Sequence, residues 1–450
     1  MRKLTLFLLG FLLLGSGPAM GKIISPEKPM SETDEVHKVH GLTATTRADG
    51  TPLPDINATL SLQDCIDLAL VNSPTMIAAN LAAQNARVNL NLAKSQFLPT
   101  ASAGFNSSYN MGTPMHDYGA QNTSASANLT LSGITDMVRN VKMKQSAVEQ
   151  ADLKVQSVQN DIIRNVRKGY YVLLAAQRAV NIRTQSKAVY QDQYERTSEY
   201  YRLGLRPKVD VTTAEVNLNN ESLRLIRATN SVKNASAALA NVLGVTTPNV
   251  LTVEMMEDFD SFDITLDDAI KAAYENRPDV ASSRLDVRIS QMQLSQAKAG
   301  LFPTMTLSAG YTKSGESLYL DTEAAHVGVA IEIPLFNAFK TYNGIKQAKI
   351  ALENTHNNTR SLLNNVFLEV QKAYIALNEA AESIPLAKLN VDKAKENMEL
   401  ARGRYNEGIG DMISLKDAEV AYTDAELSLL SARYDYASAV ADLKQAMGTY

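Results

Sequence analysis

Two hydrophobic periods alternate along this chain of 450 residues. Between residues 155 and 180, apolar side chains recur at every third or fourth position, which is typical of a helix in a coiled coil. Between residues 100 and 131, apolar and polar side chains alternate, which indicates strands with one apolar and one polar face. The pattern therefore predicts long helices interrupted by amphipathic strands.

The same succession of segments occurs twice, at a spacing of 204 residues. The matched positions include apolar, acidic and proline residues: Leu62, Asp64, Ile66, Pro74 and Pro99 recur as Leu266, Asp268, Ile270, Pro278 and Pro303. Agreement in both order and spacing is the mark of a duplicated unit. We predict two structural repeats, residues 59–244 and 264–450, joined by a linker over residues 245–263.

Each repeat is expected to begin with a helix that runs to about Lys94, or Lys298 in the second copy. Ser61 and Thr265 are good N-cap residues for these helices. A strand hairpin follows, at about residues 99–133 in the first repeat and residues 303–335 in the second.

The strand hairpins are followed by the longest predicted helices. In the first repeat a helix from about Asp136 to Tyr201 would be about 100 Å long at 1.5 Å per residue. A break around Gly204 precedes a return helix from about Val209 to Leu243. The second repeat should copy this arrangement, with a kink or split at Pro385.

The strands have the length and alternation of membrane strands. Each is about 10 residues long, and its polar face holds small Ser, Thr, Gly and Asn residues, as expected beside a watery lumen. A soluble hairpin with one wet face is the alternative. Four strands in lipid cannot leave their edges open, so closure requires other copies. We predict an α+β membrane protein with long antiparallel helical hairpins, in which a homotrimer completes a 12-stranded barrel.

The first residues have the layout of an export signal. Arg2 and Lys3 precede the uncharged apolar run Leu4–Leu14, and a small-residue cleavage site follows at Ala19–Gly21. About 11 apolar residues are too few to span a bilayer, which needs roughly 20. We predict a signal peptide over residues 1–21, with a membrane anchor as the alternative. Residues 22–58 should form an extended N-terminal arm.

The chain offers little for catalysis, nucleic-acid binding or a cofactor. Its formal net charge is −4, without a strongly basic patch. His37 and His40 lie near Asp34 and Glu35, where a solvated linker is favoured over a metal site. Cys65 lies on an apolar helical face, which indicates core packing. We expect no enzyme activity, no cofactor and no metal site.

Taken together, these features resemble the TolC-type outer-membrane factors over residues 60–448. The specific marks are the duplication, Pro334-Leu335-Phe336 at the end of the last strand, and two helix-break motifs around residues 201–211 and 405–415. The resemblance implies a trimeric channel in the outer membrane with a large periplasmic portion, serving a tripartite efflux pump or type I secretion system. Its implied partners are a periplasmic adaptor protein, an inner-membrane pump and outer-membrane lipid.

The sequence leaves the cargo open between drugs, metal ions and proteins. A periplasmic coiled-coil structural or adaptor protein without a pore is the alternative function. That alternative is disfavoured because adaptors need no amphipathic strand hairpin in each half.

The resemblance also assigns roles to residues at the helix breaks. By position, Asp210 and Tyr405 form a latch between neighbouring tips, Asp417 forms an acidic constriction, and Asp411 adds charge. The implied adaptor-docking residues are Leu203, Gly204, Leu205, Gly408, Ile409 and Gly410.

Two departures from the family pattern concern this region. Ser414 replaces an acidic residue, and Gly410 replaces an arginine that often braces the closed end. For Asp417 the alternative is a solvated residue near a helix N-terminus.

Overall fold

The computed structural model describes residues 54–110, 118–255, 262–316 and 320–450. The predicted signal peptide, the arm residues before 54, and therefore His37 and His40, lie outside the described residues. The first repeat contains β1 (Thr59–Leu60), α1 (Leu62–Asn72), α2 (Pro74–Ser95), β2 (Thr100–Asn110), β3 (Tyr118–Ser132), α3 (Ile134–Arg202) and α4 (Lys208–Leu243). The linker contains β4 (Thr252–Val253), and the second repeat contains α5 (Leu266–Asn276), α6 (Pro278–Ala299), β5 (Thr304–Glu316), β6 (Thr322–Glu332), α7 (Lys340–Asn406) and α8 (Met412–Met447).

The helix expected to run from Ser61 to Lys94 is two helices, so the prediction of one continuous helix is wrong. Ser61 caps α1 through a reciprocal pair of bonds with Asp64, as its residue type predicts. Pro74 then starts α2 at an angle of 48° to α1. Proline lacks an N–H and disfavours helical backbone in the residue before it, so Ser73 is extended. Pro278 divides α5 from α6 in the same way.

The long helices agree closely with the periodicity. α3 has 69 residues and α4 has 36. The split considered at Pro385 does not occur, because α7 continues through that proline over 67 residues. A proline in a helix interior removes one backbone bond, and here α7 also packs along α8. In the described ranges no single helix is long and apolar enough to cross a membrane. Among those helices, only the bent pair formed by α1 and α2 together has the length and composition for it.

The four long strands form one antiparallel sheet in the order β2-β3-β5-β6, and the two-residue strands β1 and β4 pair separately in parallel. Its register places Ala127 opposite both Ala101 and Tyr311, and Leu307 opposite Val329. Directly opposed residues share a face, so the apolar positions of all four strands lie on one side and the polar positions on the other. The predicted alternation is therefore confirmed, and the β3–β5 pair joins the two repeats.

The buried core lies where the helical hairpins meet the short helices α1 and α5. In the first repeat it includes fully buried Cys65, Tyr170, Leu173 and Leu239, in agreement with core packing of the cysteine. Burial, with a smaller effect of Asp64, raises the pKa of the Cys65 thiol to about 12. The second repeat buries Val370, Leu377 and Leu443 in the same way.

The end of α4 is fixed against the break between α1 and α2. Gly244 has a φ of +71°, and a Cβ at this residue would lie 2.5 Å from the Asn72 carbonyl oxygen. Glycine is needed there for both backbone conformation and space. The helical hairpin is thus anchored at the end opposite to its turn.

Candidate gate at the helical tips

Two turns, here called the first tip (residues 203–207) and the second tip (residues 407–411), join α3 to α4 and α7 to α8. In the first tip the Gly204 and Leu205 N–H groups donate to the Tyr201 and Tyr200 carbonyls at 2.9 and 2.8 Å. In the second, Gly408 repeats the pattern. The φ angles of Gly204 and Gly408 are +75° and +76°, so each glycine ends its helix in left-handed backbone.

The predicted docking residues differ in how they are placed. Leu203, Leu205 and Ile409 are 60%, 67% and 71% exposed, which suits a contact surface. Gly410 is different, because a Cβ there would lie 3.0 Å from the Tyr405 backbone nitrogen. Gly410 therefore allows close packing within the second tip rather than presenting a free surface.

The predicted latch residues Asp210 and Tyr405 are connected through a third residue. Arg206 Nη1 lies 3.8 Å from Asp210 Oδ2. The Arg206 Cζ atom lies 5.0 Å from the centre of the Tyr405 ring. A guanidinium at this distance from an aromatic ring is attracted to it. Arg206 thus joins the first tip to the end of α7 within one chain.

Tyr405 is buried in a small cluster with Ala214, Met412 and Leu415. Its hydroxyl has no hydrogen-bond partner in the described part of the chain. Within this chain, therefore, no hydrogen bond joins the Tyr405 hydroxyl to Asp210.

Sequence reasoning missed the contacts of Arg206 with Asp210 and Tyr405. Asp210 follows Arg206 by four residues at the start of a predicted helix. That spacing could have indicated the ion pair. The partnership with Tyr405 could not have been found from spacing, because 199 residues separate the two.

Asp411 and Asp417 have different surroundings on α8. Asp411 is the N-cap, and its oxygens accept from the Ser414 N–H and Oγ–H at 2.7 and 2.8 Å. These bonds lower the pKa of the Asp411 carboxyl. Ser414 stands where the family pattern has an acidic residue, and it is the hydrogen-bond donor to Asp411.

Asp417 is exposed, and its Oδ1 lies 3.5 Å from Lys416 Nζ. Exposure agrees with both an acidic constriction and the solvated-helix alternative.

Within the described ranges, no group of three or more His, Cys, Asp or Glu residues could hold a metal ion.

Comparison with known proteins identifies the family. The family model described as "Outer membrane efflux protein" matches residues 65–245 and 269–449. The chain belongs to this family. The two matches coincide with the two repeats, and the predicted outer-membrane location with a large periplasmic part is confirmed. The alternative of a periplasmic adaptor without a pore is set aside.

Similar proteins include channels of known structure. The chain is 25% identical over 317 residues to outer membrane protein TolC of Vibrio cholerae, covering 68% of this chain and 72% of that protein. It is 24% identical to the alkaline protease secretion protein AprF of Pseudomonas aeruginosa, covering 65% and 63%. The Campylobacter jejuni CmeC outer membrane channel has the same fold, with a TM-score of 0.76 at 18% identity over 86% of this chain and 85% of that one. These relatives are channel and secretion proteins rather than enzymes.

Proposed function

We propose that three copies of this chain form a passive exit duct, with a 12-stranded barrel continued by a tunnel of helical hairpins. The observation that carries the proposal is the sheet, whose outer strands β2 and β6 each have a single partner in the described chain. Open strand edges are not tolerated in lipid, so β6 of one copy pairs with β2 of the next. The proposed duct performs no chemical step and needs no cofactor.

The two faces of the sheet support this arrangement. On the apolar face Val327, Val329 and Ile331 are 88%, 64% and 64% exposed, which suits contact with lipid. On the polar face the hydroxyls of Ser102 and Ser126 lie 3.0 Å apart across β2 and β3. Small hydroxyl residues leave room for water, as a conducting lumen requires.

The two tips suggest where the partners bind and where the tunnel closes. We propose that the exposed apolar residues of both tips dock on a periplasmic adaptor protein that is joined to an inner-membrane pump. Asp210, Tyr405, Asp411 and Asp417 would then close the inner end of the tunnel. The relatives differ in cargo, since AprF is named for protease secretion and another, CzcC of Cupriavidus metallidurans, for cobalt-zinc-cadmium resistance. A duct whose cargo is chosen by the energised partner accounts for this diversity.

The test is to purify the protein from membranes in detergent and to measure its mass and its conductance in a planar bilayer. A trimer that conducts ions supports the duct. A water-soluble monomer or dimer without conductance contradicts it. Mass and conductance are read separately, so a closed trimer can be distinguished from a failure to assemble.

A further inference from the structure

His326 lies near the middle of β6, on the polar face of the sheet. The register places it directly opposite Gly310 on β5, and Gly310 opposite Asn128 on β3. A Cβ built on Gly310 would lie 2.2 Å from the His326 Cε1 atom and 2.6 Å from Asn128 Oδ1. The imidazole therefore lies across the glycine and reaches toward the amide of Asn128. Glycine at this strand position leaves the space that the ring occupies.

The polar face around His326 is otherwise uncharged. On β5 the neighbouring positions of this face hold Ser308 and Thr312. Within the described strands, the charged residues at the same alternate positions are Glu316 and Glu332, at the ends of β5 and β6. Each lies six residues along its strand from the middle pair, a distance of about 20 Å.

Charged side chains closer to His326 along the strands belong to the apolar face. Lys313 and Glu323 are opposed across β5 and β6, and their Nζ and Oε1 atoms lie 2.5 Å apart. This pair is neutral as a whole, and the sheet separates it from His326. In the proposed trimer β6 is flanked by β2 of the next copy, whose positions on the polar face are Thr, Ser, Gly and Asn. In the four described strands of the sheet, His326 is the one histidine.

The proposed barrel is narrow enough for a charge on its wall to act on passing ions. Twelve strands about 4.8 Å apart and tilted by about 40° enclose a circle with a backbone radius of about 12 Å. The Debye length is about 10 Å in 0.1 M salt and about 3 Å in 1 M salt. A charge at the wall therefore influences the whole lumen at low salt, and only its own surroundings at high salt.

We propose that His326 makes the ion selectivity of the barrel depend on pH, an inference that rests on the proposed trimeric duct. Histidine side chains in contact with water change charge between about pH 5 and 8. His326 is exposed, so water reaches its ring. Acidification adds up to three positive charges, one from each chain, to this uncharged part of the wall. These charges attract anions and repel cations.

The experiment measures the reversal potential of the detergent-purified full-length protein in a planar bilayer, under a potassium chloride gradient at about pH 7.5 and about pH 5.5. At about 0.1 M salt we expect acidification to lower the permeability ratio of potassium to chloride by roughly twofold. At about 1 M salt the ratio should change little, because the charges are screened. Carboxylates as a class change charge mainly below this pH range, so acidic residues contribute little to the difference.

Two substitutions of His326 fix the charge at this position. His326→Gln keeps a polar side chain that cannot be charged, so its selectivity should be equal at both pH values. His326→Lys carries a positive charge at both, so it should favour anions at both. The control is His356→Gln, which removes an exposed histidine from α7 and should respond to pH as the wild type does.

Three results contradict the proposal. One is a wild-type permeability ratio at about 0.1 M salt that does not change with pH. Another is a pH response that persists in His326→Gln, and the third is a response that is lost in His356→Gln. A protein that does not conduct refutes the duct, and this inference with it. A conducting trimer with pH-independent selectivity refutes only the role of His326, so the two failures are distinguishable.

Discussion

The guanidinium of Arg206 lies over the ring of Tyr405, with 5.0 Å between Cζ and the ring centre. Arg206 belongs to the first tip and Tyr405 to the end of α7, so this contact ties the two hairpins together. Gly410, the position at which the resemblance implies a bracing arginine, is packed against the Tyr405 backbone. In this chain Arg206 of the opposite tip is the residue that contacts the Tyr405 ring.

We therefore expect Arg206→Ala to favour the open state of the channel. A cation–π contact contributes roughly 0.5–1 kcal/mol at an exposed site, so open probability should rise severalfold in planar-bilayer recordings. Arg206→Lys keeps the charge and should have a smaller effect. Tyr405→Phe keeps the aromatic ring that Arg206 contacts, so the channel of this variant should close normally. Unchanged open probability in Arg206→Ala would show that this contact does not hold the gate.

Asp417 is expected to set ion selectivity. In the proposed trimer three Asp417 carboxylates lie near one axis and favour cations over anions. Asp417→Asn should therefore raise anion passage, measured as a shift of reversal potential in a salt gradient. Asp435→Asn, about five turns further along α8, is the matched control. Unchanged selectivity of Asp417→Asn would support the alternative of a solvated helix residue.

The tip glycines are expected to matter for docking rather than for folding. No atom lies within 4 Å of a Cβ built on Gly204 or Gly408, so a side chain meets no obstacle within the chain. Left-handed backbone still costs a bulky residue roughly 1–2 kcal/mol, locally. Gly204→Leu and Gly408→Leu should abolish export while the trimer still assembles. Asn tolerates this backbone, so Gly408→Asn should be milder. Normal export by the leucine variants would argue against docking at the tips.

Acid stability should depend on the ion pair of Arg277 and Asp279, whose Nη2 and Oδ2 lie 2.7 Å apart. Burial of the Asp279 carboxyl opposes ionisation, but the hydrogen bonds and charge of Arg277 outweigh it and lower the pKa. Such a carboxyl stabilises the fold above its unfolded pKa, and that contribution is lost as pH falls through the lower, folded pKa.

The wild-type Tm should therefore fall more steeply below about pH 4 than the Tm of Asp279→Asn. Asp267→Asn, an exposed residue in the first turn of α5, serves as the control. Parallel melting curves for wild type and Asp279→Asn would show that the pair does not control acid stability.

The two faces of β6 should respond differently to charge. Val329 lies on the apolar face and Ala330, its neighbour, on the polar face opposite Thr306. Val329→Lys should cost up to about 2–4 kcal/mol of stability in lipid, the range for a lysine at the bilayer midplane. Ala330→Lys should assemble normally. Heat resistance of the trimer on a denaturing gel provides the measurement, and equal loss in both variants would contradict the assigned faces.

The sequence alone was sufficient for the features that follow from local periodicity. Alternation in β2, β3, β5 and β6 determined the two faces of the sheet, because side chains on a strand point to opposite sides in turn. Spacings of three and four located α3 and α4 to within two residues. The break at Pro74 is also encoded locally. It was missed because the apolar period continues across it, since a proline at the first helical position starts a new helix at once.

Only the tertiary structure decided which distant groups meet. The pairing of β3 with β5 and the contact of Arg206 with Tyr405 both join the two repeats. Residues about 200 positions apart carry no common period, and the repeats themselves are alike enough that many pairings fit the pattern. Whether a buried carboxylate has two arginine partners, as Glu221 has, or one, as Glu419 has, depends on how neighbouring helices pack, and hydrophobic patterning does not encode it.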